Sequence, residues 1–189
     1  MKKSKESPTP LRRYASIYRS IYVYSRYLDS RPDLVEKLKK RWALNLFRKL
    51  NLQLKVTGAP VSATPVILLG NHISYLDIPV LFATAPADFV AKQEIARWPL
   101  IGHGARKLET ILVKRDKSSS RSNAREAIGR ILIEKKKSVA VFPSGTTRLH
   151  EELPWRRGIF EIAHSLKVPI QPFRFSYRPL REAAYIDQD

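Results

Sequence analysis

The 189-residue chain contains no cysteine. That excludes disulfides, thiolate metal sites and cysteine nucleophiles, and leaves the compartment open. Long apolar runs are also missing. The longest extend over about five or six residues, far below the roughly 20 needed to cross a bilayer. The N-terminus, MKKSKESPTPLRRYAS, starts basic but has no apolar core of the kind a secretory signal carries. Without export or span signals, the expected place is the cytosol, including the cytoplasmic face of the cell membrane. Acids are scarce: 17 Asp and Glu stand against 35 Lys and Arg, a net charge of +18 with a pI near 10.3. Such a surplus calls for an anionic partner, whether nucleic acid, an acidic membrane surface or a phosphorylated substrate. No GxGxxG or Walker-type loop occurs. His103, His150 and His164 have no metal-ligand spacing with one another or with acids, and no internal repeat or low-complexity block appears.

What is present suits one domain with a sizeable core. Apolar content of 43% and charged content of 28% are ordinary. Residues 1–10 read as a frayed tail. In residues 11–29, Tyr14, Ile17, Tyr18, Ile21, Tyr22, Ser25 and Leu28 follow the spacing of one helical face. Pro32 suits the first turn of a second helix, predicted over 33–50 with Leu34, Leu38, Trp42, Leu46 and Leu50 on one side. Residues 1–55 hold 15 Lys and Arg against 4 Asp and Glu, a surplus of 11 out of the chain's 18. From residue 51 strands and helices alternate. Strands are predicted at 52–56, 65–70, 88–92, 110–113, 138–142 and 169–173. Helices are predicted at 78–84, 118–136 and 156–166, with another starting at 93–98, interrupted by Pro99 and followed by a loop at Gly102 and Gly104. Ser118 to Ser120 are cap candidates for the long helix, and Lys135 to Lys137 fall in its predicted last turn. The alternation predicts an α/β fold: a mostly parallel sheet flanked by helices and preceded by N-terminal amphipathic helices. Two segments follow, 1–50 as a basic, aromatic-rich helical segment and 51–189 as the α/β domain. Ligands of such sheets collect at the carboxyl ends of strands. The His72 stretch, Arg115 and residues 143–147 all lie just past predicted strand ends.

Three groups there carry candidate chemistry. His72 is followed five residues later by Asp77, an offset that places the two on no common helix face. A bend between them would let the carboxylate orient the imidazole as a base. The same residues also fit a plain helix start, with Ser74-x-x-Asp77 as a capping box or Asp77 itself as the cap. Lys92 and Arg115 end their predicted strands, where a cation either binds phosphate or is solvated surface. Phe142-Pro143-Ser144-Gly145-Thr146-Thr147-Arg148 leaves a strand into a turn of hydroxyls, glycine and arginine. That is either an anion nest or an ordinary turn.

Taken in order, these pieces resemble the glycerolipid acyltransferase family, typified by 1-acyl-glycerol-3-phosphate acyltransferases. Its NHxSxxD motif is matched by Asn71-His72-Ile73-Ser74-Tyr75-Leu76-Asp77. Its second region resembles Lys92-Gln93-Glu94, Pro99-Leu100-Ile101-Gly102 and Ile111-Leu112-Val113-Lys114-Arg115. The FPEGT motif is similar to Phe142-Pro143-Ser144-Gly145-Thr146, and the last to Val168-Pro169-Ile170-Gln171-Pro172. The resemblance spans roughly residues 40–176. It implies that His72 is the base and Asp77 its orienting acid. It also implies that Arg115, helped by Lys92, binds the acceptor's phosphate, with Ser144, Gly145, Thr146 and Arg148 at the same substrate site. The implied reaction moves a fatty acyl group from acyl-CoA or acyl carrier protein to the free hydroxyl of 1-acyl-glycerol-3-phosphate, giving phosphatidic acid. It requires no metal, cofactor or covalent enzyme intermediate.

Two departures bear on this expectation. Ser144 replaces the motif's glutamate, and Thr147 stands at its arginine position with Arg148 one place later. The chain also ends soon after the fourth motif, so one sheet edge is expected to be short of cover. The altered motif keeps open a second acceptor, another lyso-lipid such as an aminolipid. A non-catalytic binder of anionic surfaces is the alternative of a different class. Because acceptor and product are lipids, the resemblance implies an anionic bilayer surface as partner and no nucleic acid, with peripheral or monotopic attachment. The basic, aromatic helices suit that interface; alternatively their apolar faces pack on the sheet.

Overall fold

The computed structural model describes residues 10–59, 65–98, 101–108, 110–113, 118–147 and 154–178. Its strands grow from the apolar runs: β1 Ile67–Gly70, β2 Ala87–Lys92, β3 Ile111–Val113, β4 Ser138–Val141 and β5 Ile170–Phe173. Among the described residues these form one sheet in the order β3-β2-β4-β1-β5, with every neighbouring pair parallel. A parallel sheet has to be covered on both faces. Side chains alternate across β1, so Ile67 and Leu69 join Val139 under helices α5 (Ser118–Ile133) and α6 (Gly158–Leu166) through Ile128, Leu132, Ile159 and Ile162. Val66 and Leu68 face the other way, with Phe89 and Ala140, against Leu81 of α3 (Asp77–Thr84). The expected α/β architecture is therefore present.

Outside α3 lies α2 (Val35–Leu50), and beyond it α1 (Pro10–Ser30). The buried seam of α2 is Lys39, Ala43, Leu46 and Phe47, displaced from the predicted Leu34–Leu38–Trp42–Leu46–Leu50 stripe. Ala43 is small enough to let the helix approach α3, where it packs with Phe47 against Ala83. Packing on the α/β body is thus what the apolar face of α2 does. Lys39 follows because its ammonium meets two carboxylates, Glu36 at 2.9 Å and the buried Asp88 of β2 at 3.3 Å. The helix ends at Asn51, whose left-handed backbone (φ 53°) suits asparagine.

Several predicted elements differ. Residues 52–56 form no strand: Leu52, Leu54 and Val56 are all exposed, and among the described residues no strand pairs with them. Residues 93–97 are a 3-10 turn, and the predicted glycine loop is a helix, α4 (Ile101–Lys107). Gly102 is there for close approach, since a Cβ would lie 2.1 Å from the Ala96 carbonyl oxygen. Helix α5 stops at Ile133, which leaves Lys135 to Lys137 beyond its last turn. The side chains of Ser118 to Ser120 and the whole of the 1–9 tail lie outside the described residues. Where β1 meets β5, a Cβ on Gly70 would sit 2.4 Å from the Phe173 ring and 2.6 Å from the Phe173 carbonyl oxygen. Glycine is what lets the two strands close up immediately before the site.

Candidate active site

Strand β1 ends at Gly70, and the chain turns through Asn71 to Leu76 before α3 begins at Asp77. The turn reverses direction, so the five-residue offset brings acid and imidazole together: His72 Nδ1 lies 2.7 Å from Asp77 Oδ2. The same oxygen accepts the backbone N–H groups of Ile73 and Ser74 at 2.8 and 3.0 Å. Ser74 Oγ accepts the Leu76 N–H at 3.1 Å. One carboxylate thus both pins the turn and orients the histidine, while giving α3 no side-chain cap. Asp77 is fully buried and the His72 side chain is 14% exposed. The acid is shielded while the base keeps an opening.

The far nitrogen of His72 faces the next strand over. Thr147, beyond β4, places its Oγ1 2.7 Å from Nε2, and the Phe142 ring stacks on the imidazole at 4.1 Å. A carboxylate only accepts hydrogen bonds, so the pairing puts the imidazole proton on Nδ1 and leaves a lone pair on Nε2. The Thr147 hydroxyl donates to that lone pair. A substrate hydroxyl in the same position would be placed for deprotonation.

The other oxygen of Asp77 is held from much further along the chain. Tyr177, past β5, donates its hydroxyl to Oδ1 at 2.6 Å. Desolvation of its hydroxyl, followed by the hydrogen bond and charge of Asp77, pushes this phenol well above the ordinary tyrosine range, although the residue as a whole is 42% exposed. Tyr177 therefore remains a donor wherever proteins are ordinarily handled. Asn71 fixes the segment that carries it: its Nδ2 donates to the Phe175 carbonyl at 2.9 Å, and its Oδ1 accepts the Phe175 N–H at 2.7 Å.

Of the residues singled out from the sequence, His72, Asp77, Ser144, Gly145 and Thr146 come together at the carboxyl ends of β1 and β4, which are neighbours in the sheet. Gly145 takes a positive φ of 71° in a turn closed by its N–H on the Phe142 carbonyl at 2.9 Å. The Ser144 hydroxyl is buried and donates to the Thr146 carbonyl at 3.3 Å. Lys92 closes β2, on the other side of β4 at the same sheet edge. Arg115 and Arg148 lie outside the described residues. Sequence reasoning missed the contacts of Thr147, Phe142, Asn71 and Tyr177. For Tyr177 the one available signal is its place five residues after Pro172, at the end of the last motif.

A family model described as Acyltransferase matches residues 53–176. The chain belongs to the acyltransferase family. Among its relatives, a lyso-ornithine lipid O-acyltransferase of Pseudomonas aeruginosa is 34% identical over 163 residues, covering 82% of this chain and 61% of that protein. A 1-acyl-sn-glycerol-3-phosphate acyltransferase of Neisseria gonorrhoeae is 30% identical over 106 residues, 56% of this chain and 41% of the relative. The chain spans less than two thirds of the length of these relatives. The crystal structure of the 1-acyl-sn-glycerophosphate acyltransferase from Thermotoga maritima shares its fold, with a TM-score of 0.62 at 21% identity, covering 82% of this chain and 71% of that one.

Proposed function

We propose that this acyltransferase transfers a fatty acyl group from the thioester of coenzyme A or acyl carrier protein to the free hydroxyl of a lyso-lipid. The observation that carries the reading is the buried Asp77 on Nδ1 of His72, with a hydroxyl already on Nε2. The acceptor hydroxyl displaces that of Thr147 at Nε2. As its oxygen attacks the thioester carbonyl, His72 takes the proton, and the fixed negative charge of Asp77 stabilises the imidazolium. The tetrahedral intermediate collapses to the ester, and the departing thiolate takes the proton from His72. Atoms balance without a metal or an enzyme-bound acyl group.

The four motifs support 1-acyl-glycerol-3-phosphate as acceptor, and the +18 charge suits its phosphate. A second reading has an observation of its own. The side chain that meets His72 Nε2 is the neutral Thr147, at the position where the family motif carries arginine. Together with the lyso-ornithine lipid relative, this favours an acceptor without a phosphomonoester. The test is a head-to-head assay with radiolabelled acyl donor and the two lyso-lipids. Labelled phosphatidic acid supports the first acceptor and labelled diacylated ornithine lipid the second. Background transfer to both defeats the enzymatic reading for these acceptors.

Helix α1 supports a site of action at a membrane surface. One face packs inward, with Ser20, Ser25 and Leu28 buried and the Trp42 indole donating to Ser20 Oγ at 3.1 Å. The outward stripe of Tyr18, Arg19, Tyr22, Val23, Arg26 and Tyr27 is exposed. No described helix is long and apolar enough to cross a membrane. An aromatic-basic stripe of this kind suits peripheral attachment to an anionic bilayer. Flotation with liposomes is expected to require anionic lipid and to weaken as salt rises from 0.05 to 0.5 M. Equal binding to neutral vesicles contradicts the electrostatic part.

A further inference from the structure

We propose that Tyr177 is a positioning residue for acyl transfer: it holds Asp77 by one carboxylate oxygen while the other oxygen orients His72. The inference deepens the lyso-lipid acyltransferase reading and rests on it.

The contacts divide cleanly between the two oxygens. Oδ2 takes His72 Nδ1 and the amides of Ile73 and Ser74, all from its own turn. Among the described residues, Oδ1 takes Tyr177 alone, 100 positions away. A buried carboxylate held at one oxygen can still rock about its Cβ–Cγ bond, and the imidazole hydrogen-bonded to it would follow. Held at both oxygens it cannot. Among the described residues around the pair, Thr147 meets His72 Nε2 and Phe142 contributes a ring face, while the Ser74 hydroxyl, which accepts the Leu76 N–H, lies against the Tyr177 hydroxyl. Tyr177 is itself located by the paired hydrogen bonds between Asn71 and the backbone of Phe175. The motif asparagine thereby acts at a distance, fixing the segment whose tyrosine fixes the aspartate. The strap runs over the site from β5, at the opposite flank of β1 from Thr147 and β4. The base is clasped from both neighbouring strands.

Tyr177→Phe removes the hydroxyl and keeps the ring. With whichever lyso-lipid the head-to-head assay shows to be acylated, kcat is expected to fall about 10- to 100-fold, the scale of a small misplacement of a catalytic group, with the acceptor KM within about twofold. The same substitution in an Asp77→Asn background is expected to cost little more, because both changes act through one contact. A second readout needs no substrate. In protein labelled with 15N-histidine, the His72 Nδ1–H resonance, assigned by its loss in His72→Gln, is expected to exchange faster with solvent in Tyr177→Phe. Wild-type kcat with unchanged Nδ1–H exchange overturns the proposal. So does an equal loss in both backgrounds, which would place the effect elsewhere than Asp77. If the wild type acylates no lyso-lipid the functional reading falls, and the exchange measurement still decides the role of Tyr177.

Discussion

His72→Ala is expected to lower acyl transfer by roughly 10³- to 10⁴-fold, towards background, with the fold intact. General-base catalysis contributes about 10²- to 10⁴-fold, or roughly 3–5 kcal/mol of barrier at 1.36 kcal/mol per tenfold. The upper part of that range applies because a lipid hydroxyl is a poor nucleophile until its proton leaves, and Nε2 is the nitrogen whose lone pair already accepts a hydroxyl, that of Thr147. Thermal melting should change little, since the His72 side chain contributes one ring stack on Phe142 and two hydrogen bonds at a partly open site. Asp77→Asn is the companion variant. Its carbonyl oxygen can still accept the Ile73 and Ser74 amides, so the turn survives, but the negative charge facing the imidazolium is gone. A loss of about 10²-fold or more is expected, with a measurable drop in stability because the group is fully buried. Single-turnover assays on an acceptor that the wild type acylates decide the matter. A His72→Ala protein working at the wild-type rate would remove His72 from the chemistry.

How much of this was legible in the sequence depends on the range of the interaction. The strands at Ile67–Gly70 and Ser138–Val141 were legible because short, continuous apolar runs between turn residues leave few alternatives in an α/β chain. His72 and Asp77 were legible as a pair because the contact is local, closed within a single turn. Thr147 and Tyr177 were not: their contacts to the same pair span 75 and 100 residues, and sheet order decides which strand ends become neighbours. Two local signals misled for physical reasons. Leu52, Leu54 and Val56 alternate as a half-buried strand should, yet among the described residues no neighbouring strand accepts their backbone. Gly102 was read as loop punctuation, whereas it permits contact between α4 and the turn that ends at Arg97. A glycine that lets two backbones touch and a glycine that breaks a helix look the same in one dimension.

The buried pair between Lys39 and Asp88 gives the largest expected effect on stability. Lysine in an amphipathic helix is ordinarily read as the solvated side, but here its side chain is 2% exposed and Asp88 is 1% exposed. Lys39→Met is therefore expected to destabilise the protein by about 3–5 kcal/mol, the usual cost of stranding one member of a buried ion pair. At about 2–4 °C per kcal/mol for a domain of this size, the melting temperature should fall by roughly 10 °C. Compensation from nearby is weak: the Lys137 ammonium stands 3.9 Å from Asp88 Oδ2, an oxygen without a hydrogen-bond partner among the described residues. The double variant Lys39→Met, Asp88→Leu leaves no stranded charge and should recover most of the loss, so the two single costs are not additive. Urea unfolding of Lys39→Met, Asp88→Leu and the double variant measures this. A Lys39→Met protein within about 0.5 kcal/mol of wild type would show the pair to be bystander charge. If the coupling appears, it fixes more than one contact. Lys39 sits on the seam where Ala43 and Phe47 meet Ala83, and α3 on that seam begins with Asp77. The ion pair then seats α2 against the back of the helix whose first residue orients the base, so the basic N-terminal segment and the active site rest on one shared core.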